Sequence, residues 1–235
     1  MEALIQNITD SALTASSFWE NDQRYNPSRS RLNTVSDGNG GGGWLAFTSD
    51  TNQWIQVDLQ SAHSVSRVET QGRQYPNTLR YNWVTSYQLA TSLTGDEADF
   101  EYVTSSADGV VVTFNANSDR DTIVSNSFSP RVARFVRLYP QTWNEYISMR
   151  WEVYGCYFGV TCPAISLDAS VNAHSYNNLG GSQIQAYCNN DEYFASTNYV
   201  RNITANCLYT GVWDIDIEQY QCISRAVVIN QKYYL

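Results

Sequence analysis

The chain reads as an all-β protein, a sandwich or barrel followed by a small disulfide-stapled β module. Three observations lead there. Short runs alternate apolar and polar residues with a period of two, clusters of Asn, Asp, Gly and Ser separate them, and four of the five cysteines gather near the C-terminus. No segment carries a sustained helical stripe, which leaves strands as the repeating element.

Taken in order, Trp54-Ile55-Gln56-Val57-Asp58-Leu59, Val110 to Phe114, Arg134 to Leu138 and Met149 to Val153 are expected as half-buried antiparallel strands. Trp54 and Trp83 each open such a pattern and are expected in the core. Arg150 sits on an apolar strand and needs a carboxylate, for which Asp58 is the expected partner. Three loops between the strands are richer than turns require. The first, Ser16 to Arg29, mixes Trp19 and Tyr25 with Asp22 and Arg24. The second, Ser36 to Phe47, follows a flexible glycine run with Trp44, Leu45 and Phe47. The third, Gln71 to Trp83, carries Arg73, Tyr75, Arg80 and Tyr81. Binding residues concentrate on loops held by a rigid scaffold.

At 235 residues there is room for one domain of about 150 residues and one small module, with the boundary near Cys156. A C-terminal stretch of about 60 residues is too short to be held by its core alone, so Cys162, Cys188, Cys207 and Cys222 are expected to pair, in an oxidising compartment. The net charge of -9 argues against nucleic acid as a partner. Asn7-Ile8-Thr9 and Asn202-Ile203-Thr204 fit the N-glycosylation pattern. The N-terminus lacks a basic and apolar leader, and no stretch approaches the roughly 20 apolar residues that span a bilayer. The expectation is a mature, secreted or extracellular fragment whose signal peptide has been removed. His63 and His174 lie near no plausible nucleophile or paired acid, and no catalytic motif appears, so the chain is not expected to be an enzyme.

The blocks Thr14-Ala15-Ser16-Ser17, Ser30-Arg31-Leu32-Asn33, Gln53 to Leu59, Thr70-Gln71-Gly72-Arg73, Trp83 to Tyr87 and Arg150 to Cys156 follow one another in a familiar order. Residues 5 to 156 resemble the discoidin family, the coagulation factor V/VIII type C domains. The resemblance implies a jelly-roll β-sandwich or barrel over 1–156. It also implies that the loops at one end bind cell-surface glycans, anionic phospholipid or extracellular proteins. Residues 160–223 resemble a sushi module, or complement control protein repeat, through Cys162-Pro163, Gln185-Ala186-Tyr187-Cys188, Cys207, Gly211-Val212-Trp213 and Cys222. That resemblance implies Cys162 paired with Cys207 and Cys188 with Cys222; one departure is Tyr220-Gln221 where a proline is usual. Residues 224–235 form a C-terminal tail whose Val227-Val228-Ile229 is an added strand, an interface element or a frayed end. Cys156 is left unpaired, because the N-terminal cysteine that family members join to it is absent. Three readings stand: a chain beginning just after the missing cysteine, a free thiol, or a link between chains.

A sugar needs a ring face to stack on and rigid polar groups for its hydroxyls. Trp19, Asp22, Arg24, Tyr25, Arg73, Tyr75, Arg80 and Tyr81 supply that set, with a loop-bracing role the alternative for Arg73. A membrane surface would instead use Trp44, Leu45 and Phe47 as an inserted tip, with Arg24, Arg29, Arg31 and Arg80 around it. Eleven arginines against seventeen carboxylates, and no lysine, leave residues 1–156 net negative and repel an anionic bilayer. Trp44 as a core residue is the competing reading. Protein recognition through an aromatic and arginine hot spot is the third possibility. Asp37 and Asn39, with Glu152, look like a calcium-holding turn of some discoidin-like carbohydrate modules; ordinary turn chemistry is the alternative. No other cofactor is expected. The reading that results is an adhesion module whose partner is a cell-surface glycan or glycoprotein.

Overall fold

The computed structural model describes residues 1–37, 40–75, 82–159, 163–174, 183–189, 192–195, 200–208 and 212–224. The chain divides into two compact units, Met1–Phe158 and Gly159–Leu235.

The strands of the first unit are β1 (Glu2–Ala3), β2 (Leu13–Ala15), β3 (Trp44–Leu45), β4 (Ile55–Gln71), β5 (Trp83–Ser92), β6 (Glu101–Tyr102), β7 (Phe114–Asn115), β8 (Val124–Asn144) and β9 (Ser148–Tyr157). They run antiparallel in the order β1-β9-β4-β8-β5-β6, with β2 on β4, β3 on β9 and β7 on β5. β4 and β8 are long because register shifts between Asp58 and His63, and between Val65 and Arg67, bend them through the sandwich. Gln60 takes the bend at φ 63°, its N–H held 2.7 Å from the Asp58 carboxylate.

Alternation fills the core as expected along β4, where Ile55, Val57 and Leu59 pack with Tyr87, Leu89, Val136, Leu138, Met149, Trp151 and Val153. β9 departs from it, since its polar members Arg150 and Glu152 are buried as well. The expected Arg150–Asp58 pair does not form. Asp58 takes a two-pronged ion pair from Arg134 at 2.8 Å, while Arg150 donates to the carbonyls of Gly72, Thr34 and Arg120. Backbone oxygens from three loops take most of the Arg150 N–H groups, and the carboxylate beside it is Asp121, 3.7 Å from Nη2, in place of Asp58. Trp54 and Trp83 are half-buried rather than core; the Arg137 guanidinium covers the Trp54 ring at 4.2 Å.

In the second unit, β10 (Asn172–Ala173), β11 (Gln183–Tyr187) and β13 (Asn202–Asn206) form one small sheet, and β12 (Glu192–Phe194) pairs with β14 (Cys222–Ser224). The Cys188–Cys222 disulfide closes over a core of Val171, Ile184, Ala186, Phe194, Ala205 and Ile217. Trp213 is half-buried and donates its Nε1–H to the carbonyl of Pro163 at 2.9 Å. The expected Cys162–Cys207 bridge falls on Cys162, outside the described residues, as does the tail beyond Ser224. Cys156 is a free, exposed thiol.

Candidate functional site

Loop one is built from short 3-10 turns: Trp19–Asn21, Gln23–Tyr25 and Pro27–Ser30. Asp22 and Asn26 cap the second and third turns, their side chains accepting from the N–H groups of Arg24 and Ser28. The same Asp22 carboxylate pairs with the Arg24 guanidinium at 2.6 Å, and that bond holds its pKa below the usual aspartate value. Both residues are thus spent on each other at the surface.

The glycines of loop two that the structure describes are packed rather than open. Gly40, Gly41, Gly42 and Gly43 are all buried. A Cβ on Gly41 would stand 2.9 Å from the Tyr25 ring, and one on Gly42 would stand 2.5 Å from the carbonyl of Gln74. Absent side chains therefore let loops one and three close on loop two. The backbone bonds of this seam run from Gly41 N–H to Arg24 and from Gln74 N–H to Gly42, at 2.7 and 2.9 Å.

What the three loops enclose is a pocket of about 200 Å³ lined by Trp19, Tyr25, Leu45, Arg73, Tyr75, Asn82 and Tyr146. Arg73 is only 5% exposed. Its guanidinium lies between two rings, 4.8 Å from the centre of Tyr25 and 5.0 Å from that of Tyr75. Cation–π contacts of this kind contribute about 0.5–2 kcal/mol each and hold the fork in one plane. Asn82 is 3% exposed, lines the pocket, and its carboxamide bonds to none of the described residues. At the mouth, the Trp19 ring meets Phe47 at 6.2 Å and Tyr146 at 6.3 Å. Phe47 is 54% exposed and Tyr146 42%. Glu20, Asn21 and Glu145, which flank these rings in sequence, hold left-handed φ values of 50°, 54° and 56°. Backbone strain of about 1–3 kcal/mol per residue is thus stored beside the ridge.

Of the expected sugar-binding set, Trp19, Tyr25, Arg73 and Tyr75 converge. Asp22 and Arg24 stand outside the pocket lining, and Arg80 and Tyr81 lie outside the described residues. The expected membrane tip is corrected at two of its three positions. Trp44 is fully buried, its Nε1–H bonded to the carbonyl of Ser17 at 2.9 Å, and extracting it would forfeit on the order of 3–5 kcal/mol. Leu45 is the pocket floor; only Phe47 projects. The two acids expected to flank calcium are engaged separately: Asp37 pairs with Arg29 at 3.4 Å, while Glu152 Oε1 accepts from the N–H groups of Leu4, Ile5 and Val153. With Asn39 outside the described residues, those described do not form a calcium cage. Asn82 and Tyr146 were not expected. Asn82 was readable as the last polar residue before the Trp83 strand. Tyr146 was readable as a tyrosine in a turn between two strand patterns.

Residues 12–153 match the model of the F5/8 type C domain. Neuropilin-1 of Xenopus laevis is 36% identical over 133 residues, covering 56% of this chain and 13% of that protein. Coagulation factor V of Mus musculus is 34% identical over 154 residues, covering 63% and 7%. The chain thus spans less than a sixth of these relatives' length. Among solved structures, recombinant discoidin II of Dictyostelium discoideum superposes with a TM-score of 0.51 at 28% identity, covering 74% of this chain and 61% of that one. With a family match over more than half its length, and a β-sandwich to go with it, the chain belongs to the F5/8 type C domain family.

Proposed function

We propose that this chain is an extracellular recognition module whose loop-end pocket takes a cell-surface glycan. One observation carries the reading: the Arg73 guanidinium, between the Tyr25 and Tyr75 rings, lines one pocket together with Asn82. Planar donors fixed in place suit hydroxyl pairs of a sugar, and the Trp19 and Tyr146 rings offer faces for its C–H surface. Glu20 and Glu145, adjacent in sequence to the exposed rings, set negative charge where an anionic headgroup would have to approach. The second unit is read as a sushi-like spacer, supported by the Cys188–Cys222 bridge and by Trp213 against Pro163. Asn7 and Asn202 are both exposed, as glycan acceptors must be.

Phe47 supports phosphatidylserine binding as a second reading, since it is the one large apolar residue of the expected tip that faces solvent. A glycan array beside phosphatidylserine liposome sedimentation separates the two. The glycan reading expects array binding by the full chain, lost in Trp19→Ala and in Asn82→Ala. Sedimentation that depends on Phe47, with a blank array, would replace it with the lipid reading; neither signal would leave a protein ligand.

A further inference from the structure

We propose that the far end of the first unit carries a second ligand site, a groove for a neutral oligosaccharide chain. β5 begins beside Asn82 in the loop-end pocket and ends ten residues later at Ser92, about 30 Å of extended strand away. At that far end opens a cavity of about 800 Å³, between the end of β5, β6 and residues 129–132 of β8. Its size lies in the range of ligand sites.

The lining is unlike the loop-end pocket. Thr91, Thr94, Thr104, Ser106 and Ser129 line it, interleaved with the apolar Leu93, Val103, Pro130 and Val132; of these hydroxyls, that of Thr94 is held by Asp99. Thr91 is 5% exposed, lines the groove, and its hydroxyl has no hydrogen bond to any of the described residues. A hydroxyl that lines a cavity without a protein partner is available to a ligand there. Ser92 Oγ is fixed by accepting from the N–H groups of Thr94 and Gly95, at 3.1 and 2.9 Å. The groove's cation, Arg131, is already paired with Glu101 at 2.9 Å. With Asp99 also in the lining, the net charge of the groove is negative, which disfavours phosphate and sulfate polymers. Alternating hydroxyl and C–H surface, without spare positive charge, matches a neutral sugar chain. The groove shares no residue with the loop-end pocket, so this site stands whatever that pocket binds.

The test is a titration of the 15N-labelled full chain with maltohexaose, cellohexaose and mannohexaose at millimolar concentration, followed by amide chemical shifts. At least one sugar is expected to move Thr91, Thr104 and Ser129. Thr91→Val, which keeps the shape and removes the hydroxyl, should weaken that response about tenfold. Ser129→Ala, at an exposed position that cannot unfold the chain, should weaken it as well, and Asn82→Ala should leave it unchanged. Shifts confined to the loop-end residues, no shift with any of the three sugars, or full response in both hydroxyl variants would overturn the site.

Discussion

The Arg150 guanidinium donates through Nε to the carbonyl of Gly72 at 2.7 Å, one residue before Arg73. Its two other nitrogens hold Thr34, just ahead of loop two, and Arg120 at 3.0 and 2.6 Å. A single side chain from β9 thus fixes the base of the pocket from behind. Arg150→Met leaves three carbonyls without their donor and is expected to cost about 3 kcal/mol, read as a lowered urea midpoint. Ligand binding should fall with it, since Arg73 loses its anchored neighbour.

Gly42 and Gly41 should respond differently to the same change. A Cβ on Gly42 meets backbone on two sides, the Gln74 carbonyl and the Ser36 nitrogen at 2.9 Å. Gly42→Ala is expected to cost about 2–3 kcal/mol. On Gly41 the nearest atoms belong to the Tyr25 ring, which can swing aside. Gly41→Ala should cost about 1 kcal/mol yet still reduce binding, because the displaced ring leaves Arg73. Melting curves and binding isotherms on the two variants check the contrast.

Glu145 pays for its place beside Tyr146 with a φ of 56°. Glu145→Gly relieves about 1 kcal/mol of left-handed strain and loses part of that to chain entropy, for a net gain of about 0.5 kcal/mol. Thermal stability should rise slightly while affinity drops, since the ring loses its fixed direction. Unchanged affinity would show that the strained turn serves the fold alone.

Glu152 sets a pH dependence. Burial pushes its carboxyl above the ordinary value of 4.5, opposed by the N–H groups of Ile5, Val153 and Leu4. The folded protein therefore keeps this proton to a higher pH than the unfolded chain, and stability falls as pH rises through that interval before levelling off. Glu152→Gln removes the group. Compared by melting temperature from about pH 4 to about pH 7, the variant should gain on the wild type as pH rises.

Sequence pattern reached the sandwich because β4 buries alternate residues in the way a two-residue period demands. It also reached Trp19, Tyr25, Arg73 and Tyr75, since large aromatics and arginines in polar loops have few other uses. Burial on both faces of β9 was legible in part: an arginine on an apolar strand reads as buried and in need of a partner, as Arg150 is, but alternation marks Glu152 as outward, and only the chain folded over it makes it internal. The glycine run was misread for a related reason. Gly41 and Gly42 suggest mobility in a sequence, whereas close approach of Tyr25 and Gln74 gives them a fixed place. Trp44 next to that run resembled an inserted tip, yet the indole bonds inward to Ser17.

The seam between loops one and three is main chain, contributed by residues that have nothing of their own to exchange. Changes at Tyr25 or Tyr75 therefore alter the walls while the joint between them keeps its dimensions. Ligand preference in this domain can drift by swapping wall residues one at a time, with no compensating change needed at the joint, and a designer seeking new selectivity would leave Gly41 and Gly42 untouched.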